Sequence, residues 1–181
     1  LIAAGGMYYF YHIAAIDTKY LNIAIGMIIT ALGMGITMSP ATNSIMGSIP
    51  VDEAGVGSAM NDTTRQIGGA LGVAVLGTLL NSAYALHIDK IVWPAPLSTE
   101  AVTKIRGSIQ GAQIVAATAQ QQSPTLAQFI VKNADEAFTY GMAHALLVAA
   151  IIMAVTAVLA LFIVPTRVRP YNEVKSTPPK A

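Results

Sequence analysis

The side chains that could do chemistry in this sequence are few and far apart. His12 and His144 are the groups that titrate near neutral pH within long apolar stretches. An ionisable group held in lipid is costly and marks function, so His144 is a candidate proton-responsive or substrate-contacting residue. Its other reading is a neutral imidazole hydrogen-bonded near an interface, and His12, five residues before Asp17, carries the same two readings. Asn61 and Arg65 are four apart and share one helical face. That face suits a gate that makes and breaks contact with another part of the protein. It equally suits a helix-end anchor that bonds carbonyls and lipid phosphates. Asp17, Asp52, Glu53 and Asp62 are scattered, whereas hydrolytic chemistry at a membrane face needs paired carboxylates or a His/Asp/Glu cluster. No histidine spacing of the metal-binding kind occurs, so neither a metal nor another cofactor is expected. Without cysteine there is no disulfide framework, thiolate site or Cys nucleophile.

The elements that must position these residues are apolar to an unusual degree. Charged residues make up 10% of the 181 and apolar residues 54%, with a mean hydropathy of +0.59. A soluble domain carries roughly 25% charged residues. Residues 1–16, 20–51, 67–86 and 137–166 contain no Asp, Glu, Lys or Arg. A bilayer core of about 30 Å is crossed by roughly 20 apolar residues in a helix. The expectation is an all-α membrane protein with four crossing helices, at about 1–16, 21–49, 66–86 and 137–164, and no β-sheet. The first stretch lacks the basic flank of a signal peptide, and the chain is expected to be a fragment that opens inside a spanning helix. A net charge of +1 gives no case for nucleic-acid binding.

Between the spans, Asp17–Tyr20 is a tight link between antiparallel helices. Pro40 sits inside the second span, where it should kink the helix or free a carbonyl near Ile36. Ser39 and Asn43 beside that break, with Met34 and Met38, are candidates for a substrate pathway, because polar groups near freed backbone and adaptable thioethers suit varied ligands. Core or lipid-facing filler is the alternative for the methionines. Pro50–Gly55 breaks the pattern again, and residues 56–66 begin the third helix at the membrane surface. Gly68, Gly69 and Gly72 give that helix a small-residue packing face. A phosphate loop is excluded there, since no strand precedes the glycines and no Lys-Ser/Thr follows. The connection 87–136 contains a loop around Trp93, a helix from a Ser98 cap to about Ala119, and a second helix start at Ser123-Pro124. That connection either lies on the membrane surface or folds over the mouth of the protein.

The stretch from Gly33 to Gly77 carries a family resemblance. It reads Gly33-Met-Gly35, Ser39-Pro-Ala-Thr-Asn43, Ile49-Pro50, Ala54-Gly-Val-Gly-Ser-Ala59 and Asn61-Asp-Thr-Thr-Arg65-Gln-Ile-Gly-Gly-Ala-Leu-Gly-Val-Ala74. This resembles the last third of the fourteen-span drug:proton antiporters of the EmrB/QacA type, in the major facilitator superfamily. The resemblance implies that the chain supplies spans eleven to fourteen of a proton-coupled exporter of drugs or other amphiphiles. Its partners would be the missing N-terminal part of the transporter, the lipid bilayer, a small-molecule substrate and protons. The family's loop motif, proline-glycine motif and embedded acids belong to that missing part, so this piece alone is not expected to transport. The rival readings are a membrane-embedded enzyme and a structural membrane subunit.

Arg167, Arg169, Lys175 and Lys180 follow the last span and assign the tail, 165–181, to the cytoplasm of a multi-pass cell-membrane protein. The 50–66 link is then cytoplasmic and the 87–136 connection external. Lys90, Lys104, Arg106 and Lys132 in that connection pull the other way, but they are spread over a long segment.

Overall fold

The computed structural model describes residues 1–94 and 97–163. The described chain is helical: α1 (Ile2–Ile13), α2 (Tyr20–Gly47), a 3-10 turn (Val51–Glu53), α3 (Ala54–Ile88), α4 (Thr99–Gly107), α5 (Ile109–Gln120) and α6 (Pro124–Ile163). No strand occurs among the described residues. The basic tail on which the orientation rests lies outside them.

Three helices are long and apolar enough to cross a membrane: Tyr20–Gly47, Val51–Ile88 (α3 with the turn before it) and Pro124–Phe162. Their surfaces are lined with exposed apolar side chains, among them Met27, Leu71, Val73 and Leu161. That would be costly in water and fits lipid or a neighbouring helix. The fourth expected crossing, α1, has 12 residues. At 1.5 Å per residue it is about 18 Å long and falls short of the bilayer core.

The pairing of α1 with α2 depends on missing side chains. A Cβ on Gly6 would run into Thr30, one on Gly33 into Ala3, and one on Gly26 into the Phe10 ring. Gly26, Thr30 and Gly33 are the buried residues of α2, on one stripe of small side chains that lets the two backbones approach. The Thr30 hydroxyl donates back to the Gly26 carbonyl at 2.9 Å, so the buried polar group is satisfied. Thr18 closes the link between these helices, its hydroxyl accepting the Ala15 N–H at 3.1 Å.

Helix α6 also packs through small residues. Ala127, Ile130, Ala134, Ala137, Gly141, Ala145 and Ala149 are buried at spacings of three and four, which places them on one face. At Gly141 a Cβ would lie 2.7 Å from the Leu80 carbonyl oxygen, so α3 crosses α6 in backbone contact there.

The third helix takes in the polar 56–66 segment as expected, and one other boundary differs from the sequence reading. The third helix starts at Ala54, straight from the 3-10 turn, and runs unbroken through the polar 56–66 segment to Ile88. In the 87–136 connection, the helix expected from Ser98 to Ala119 is two helices that meet at Ser108. Ser108 is extended (φ −173°, ψ 158°), and its hydroxyl accepts the Gly111 N–H at 3.0 Å. Serine at such a position caps the following helix instead of continuing the preceding one. Gly111 permits the fold-back, because a Cβ there would meet the Lys104 carbonyl. Ser98 caps α4 by accepting the Ala101 N–H at 3.2 Å, and Pro124 opens α6 after Ser123.

Candidate functional site

The long connection is not a loose loop. Helices α4 and α5 and the first third of α6 form a cap over the end of α3. Its core is Ile88, Ile105, Ala112, Ala116, Ala127, Ile130, Ala134 and Ala137, joined by Tyr84, with Leu97 and Ile109 packed alongside. Tyr84 is 1% exposed, and its hydroxyl donates to the Ile105 carbonyl at 2.8 Å. Arg106 Nε donates to Asp89 Oδ1 at 2.8 Å, which raises the guanidinium's pKa. Lys104 pairs with Glu100 at 2.8 Å and holds that carboxyl below the usual range. Both pairs are solvent-exposed, so they orient the cap more than they stabilise it. Trp93 packs edge-on against Phe129 at 6.0 Å, on the cap itself.

Helix α6 has 40 residues and is about 60 Å long, roughly twice the bilayer core. The helix is thus long enough to cross a bilayer and still leave its charge-bearing stretch 124–136 over, and the cap is built on that stretch.

At the opposite end of α3, Arg65 Nη2 donates to Thr42 Oγ1 at 2.7 Å. This bond ties α3 to α2, which otherwise touch little. Arg65 and Thr42 both come from the stretch that carries the family resemblance, and the Thr42 hydroxyl itself donates to the Met38 carbonyl at 3.0 Å. Asn61 lies one turn before Arg65 and is half-buried. The pair of α2 and α3 is thus held by a polar latch at one end and left open along most of its length.

Met34 and Met38 are about half exposed, and Ser39 and Asn43 are exposed beside Pro40. Helix α2 continues through Pro40 to Gly47. Gly68, Gly69 and Gly72 have open space where a Cβ would stand. The close approaches among the described residues are made by Gly6, Gly26, Gly33, Gly57, Gly111 and Gly141. The readable signal was the seven-residue interval from Gly26 to Gly33 with Thr30 between, and the alanine-glycine periodicity of α6.

His144 is exposed; its Nδ1 lies 2.9 Å from the Tyr140 carbonyl and its ring 4.1 Å from the Tyr140 ring. On the other side of Tyr140 is His87, with ring centroids 5.2 Å apart. His87, in the last turn of α3, is a neighbour that the sequence did not reveal. His12 stands edge-on to Tyr8 at 4.6 Å. Two cavities lie elsewhere on the described surface, and none of these histidines lines either of them. One, of about 380 Å³, is apolar and lies between α1, the start of α2 and α6, lined by Met7, Phe10, Ile23, Met142 and Leu146. The other, of about 550 Å³, is a cleft on the cap.

The sequence is similar to those of several transporters. It is 29% identical to the multidrug efflux pump LfrA of Mycolicibacterium smegmatis over 72% of this chain and 25% of that protein. It is 29% identical to the multidrug transporter protein MdtP of Bacillus subtilis over 84% of this chain and 30% of that protein. The puromycin resistance protein pur8 of Streptomyces alboniger is 32% identical over 51% of this chain and 17% of that protein. The chain thus spans less than a third of the length of each of these relatives. No family model matches the sequence. No solved structure matches it.

Proposed function

We infer that this chain belongs with the drug exporters of the major facilitator type and supplies C-terminal membrane helices of one. The observation that carries the reading is the similarity to efflux proteins over most of the chain, on helices whose apolar faces fit a bilayer. In the complete protein, α2, α3 and α6 cross the cell membrane. Helix α1, charge-free and packed at their level, is read as part of a fourth crossing. The latch end of α3 and the tail face the cytoplasm, and the cap faces outward.

Export needs a substrate path that opens to each side in turn. The bond from Arg65 to Thr42 is suited to that cycle: it is exposed, polar and made by side chains alone, so it breaks without disturbing either helix. Its donor keeps its charge at any physiological pH. We assign it, with Asn61, to a cytoplasmic gate. The faces bearing Met34, Met38, Ser39 and Asn43, and the glycine face 68–72, are assigned to contact with substrate and with the rest of the transporter respectively. The driving ion in this reading is the proton. The acids that couple it are assigned to the remainder of the protein, and His144 is a proton-responsive group on this side.

The test is to express the complete protein in cells stripped of their own drug exporters and follow accumulation of a fluorescent amphiphilic dye. Lower accumulation that returns to the control level on adding a protonophore supports proton-driven export. Unchanged accumulation with the protein present in the membrane removes the proposal.

A further inference from the structure

The cleft on the cap has the make-up of a ligand site. It runs between α5 and α6 above the link that joins α1 to α2. Ala116, Ala117, Ala127 and Val131 form an apolar floor, and Ile16 stands at the α1–α2 end. Its volume, about 550 Å³, falls in the range of small-molecule pockets, roughly 300–1,000 Å³. Gln113, Gln120 and Gln128 line its walls, and none of their amides is hydrogen-bonded among the described residues. Asp135 also lines it, half-buried, and has no ion-pair partner among the described residues. Lys132 is on the same rim, but its Nζ is drawn toward Glu136, at 3.9 Å. An apolar floor, free amides and a carboxylate in no ion pair among the described residues match an organic cation with hydrogen-bonding groups. The carboxylate meets the charge, and the amides accept or donate as the ligand requires.

We propose that the cap cleft lined by Asp135, Gln113, Gln120 and Gln128 is a weak binding site for organic cations. It rests on the reading of the chain as part of an exporter, and adds where an exported cation is held after it leaves the membrane helices. The carboxylate stands on α6 at the point where the charge-bearing segment gives way to the charge-free one, beside the mouth of the bundle. A cation emerging there exchanges its path through the protein for a partner that faces water. Because the site is open, it binds loosely and releases readily.

The experiment uses the complete protein. Binding of ethidium, a cationic phenanthridinium, is followed by fluorescence on purified protein, and its export is followed in cells alongside that of a neutral amphiphilic drug. Asp135→Asn is compared with Asp135→Glu and with Glu100→Gln, an acid of the cap outside the cleft. The expected result is a rise of roughly threefold to tenfold in the ethidium Kd and export KM for Asp135→Asn. Asp135→Glu should restore both, and neither Glu100→Gln nor transport of the neutral drug should differ from the parent. Membrane abundance of each variant separates misfolding from lost recognition, and Gln113→Leu with Gln128→Leu gives a second probe of the same cleft. If Asp135→Asn and the double glutamine variant bind and export ethidium like the parent, the proposal is wrong. If the parent exports nothing, the exporter reading fails instead, and ethidium binding that depends on Asp135 would still support the site.

Discussion

The Tyr84 hydroxyl donates to the Ile105 carbonyl at 2.8 Å, in a contact buried from solvent on both sides. It joins the last turns of a membrane helix to the first helix of the cap, so the cap moves with α3. The Ile105 carbonyl lies two residues from the end of α4, where the helix no longer satisfies its own acceptors. Tyr84→Phe keeps the ring and removes the donor, leaving that carbonyl unpaired at a cost of about 1–3 kcal/mol. The expected outcome is faster proteolysis within 89–123 at unchanged membrane abundance. Equal cleavage rates would show that the apolar core holds the cap without this bond.

The glycines fall into two groups that should respond differently. Gly33→Leu places a side chain against the backbone at Ala3 and should separate α1 from α2. At Gly72 an added Cβ would meet nothing within 4 Å among the described residues. Any loss of folded protein at Gly72 must therefore come from a helix elsewhere in the complete protein. Detergent-resistant folded protein should fall for both variants of the complete protein, but in the isolated segment only Gly33→Leu should weaken cross-linking between α1 and α2. A fall in that cross-linking for Gly72→Leu would contradict the placement.

The latch of Arg65 on Thr42 gives a prediction about turnover. Arg65→Ala and Thr42→Val each remove one exposed, charge-assisted hydrogen bond, worth about 1 kcal/mol or less to stability. Expression should stay near the parent level while export slows, and the double variant should be no slower than the worse single one, as expected for two residues acting through one contact. Export at the parent rate for Arg65→Ala would reduce Arg65 to an anchor at the helix surface.

Sidedness is open to direct labelling, because the chain has no cysteine of its own. A cysteine at Ser58 should react only with reagents that reach the cytoplasm. One at Gln121, in the exposed turn between α5 and α6, should react from outside. Outside labelling at Ser58 would invert the arrangement.

Much of this fold was legible because charge cannot be placed in lipid. The empty stretches 20–51, 67–86 and 137–166 located three long helices, and serine-led starts located α4 and α6. The helix between Ser98 and Ala119 was misjudged because Ser108 is compatible with a helix interior by type, and only its cap to Gly111 and the close Lys104 carbonyl decide for a break. The cap core was hidden for a different reason: it joins residues of α3, α4, α5 and α6, among them Ile88, Ile105, Ala116 and Ile130, and which faces meet depends on how those helices fold back on one another. At the site, Arg65 was singled out by its charge. Its partner Thr42 could not be, since a contact across 23 residues depends on how two helices cross.

The reading of this chain as part of an exporter is tested most directly in proteoliposomes that hold only the purified complete protein. Imposing a pH gradient, acid inside, should drive a fluorescent cationic dye into those vesicles whose protein is inserted inside-out, and a protonophore should abolish the uptake. Dye that stays outside under a verified gradient, with verified insertion, would contradict the account.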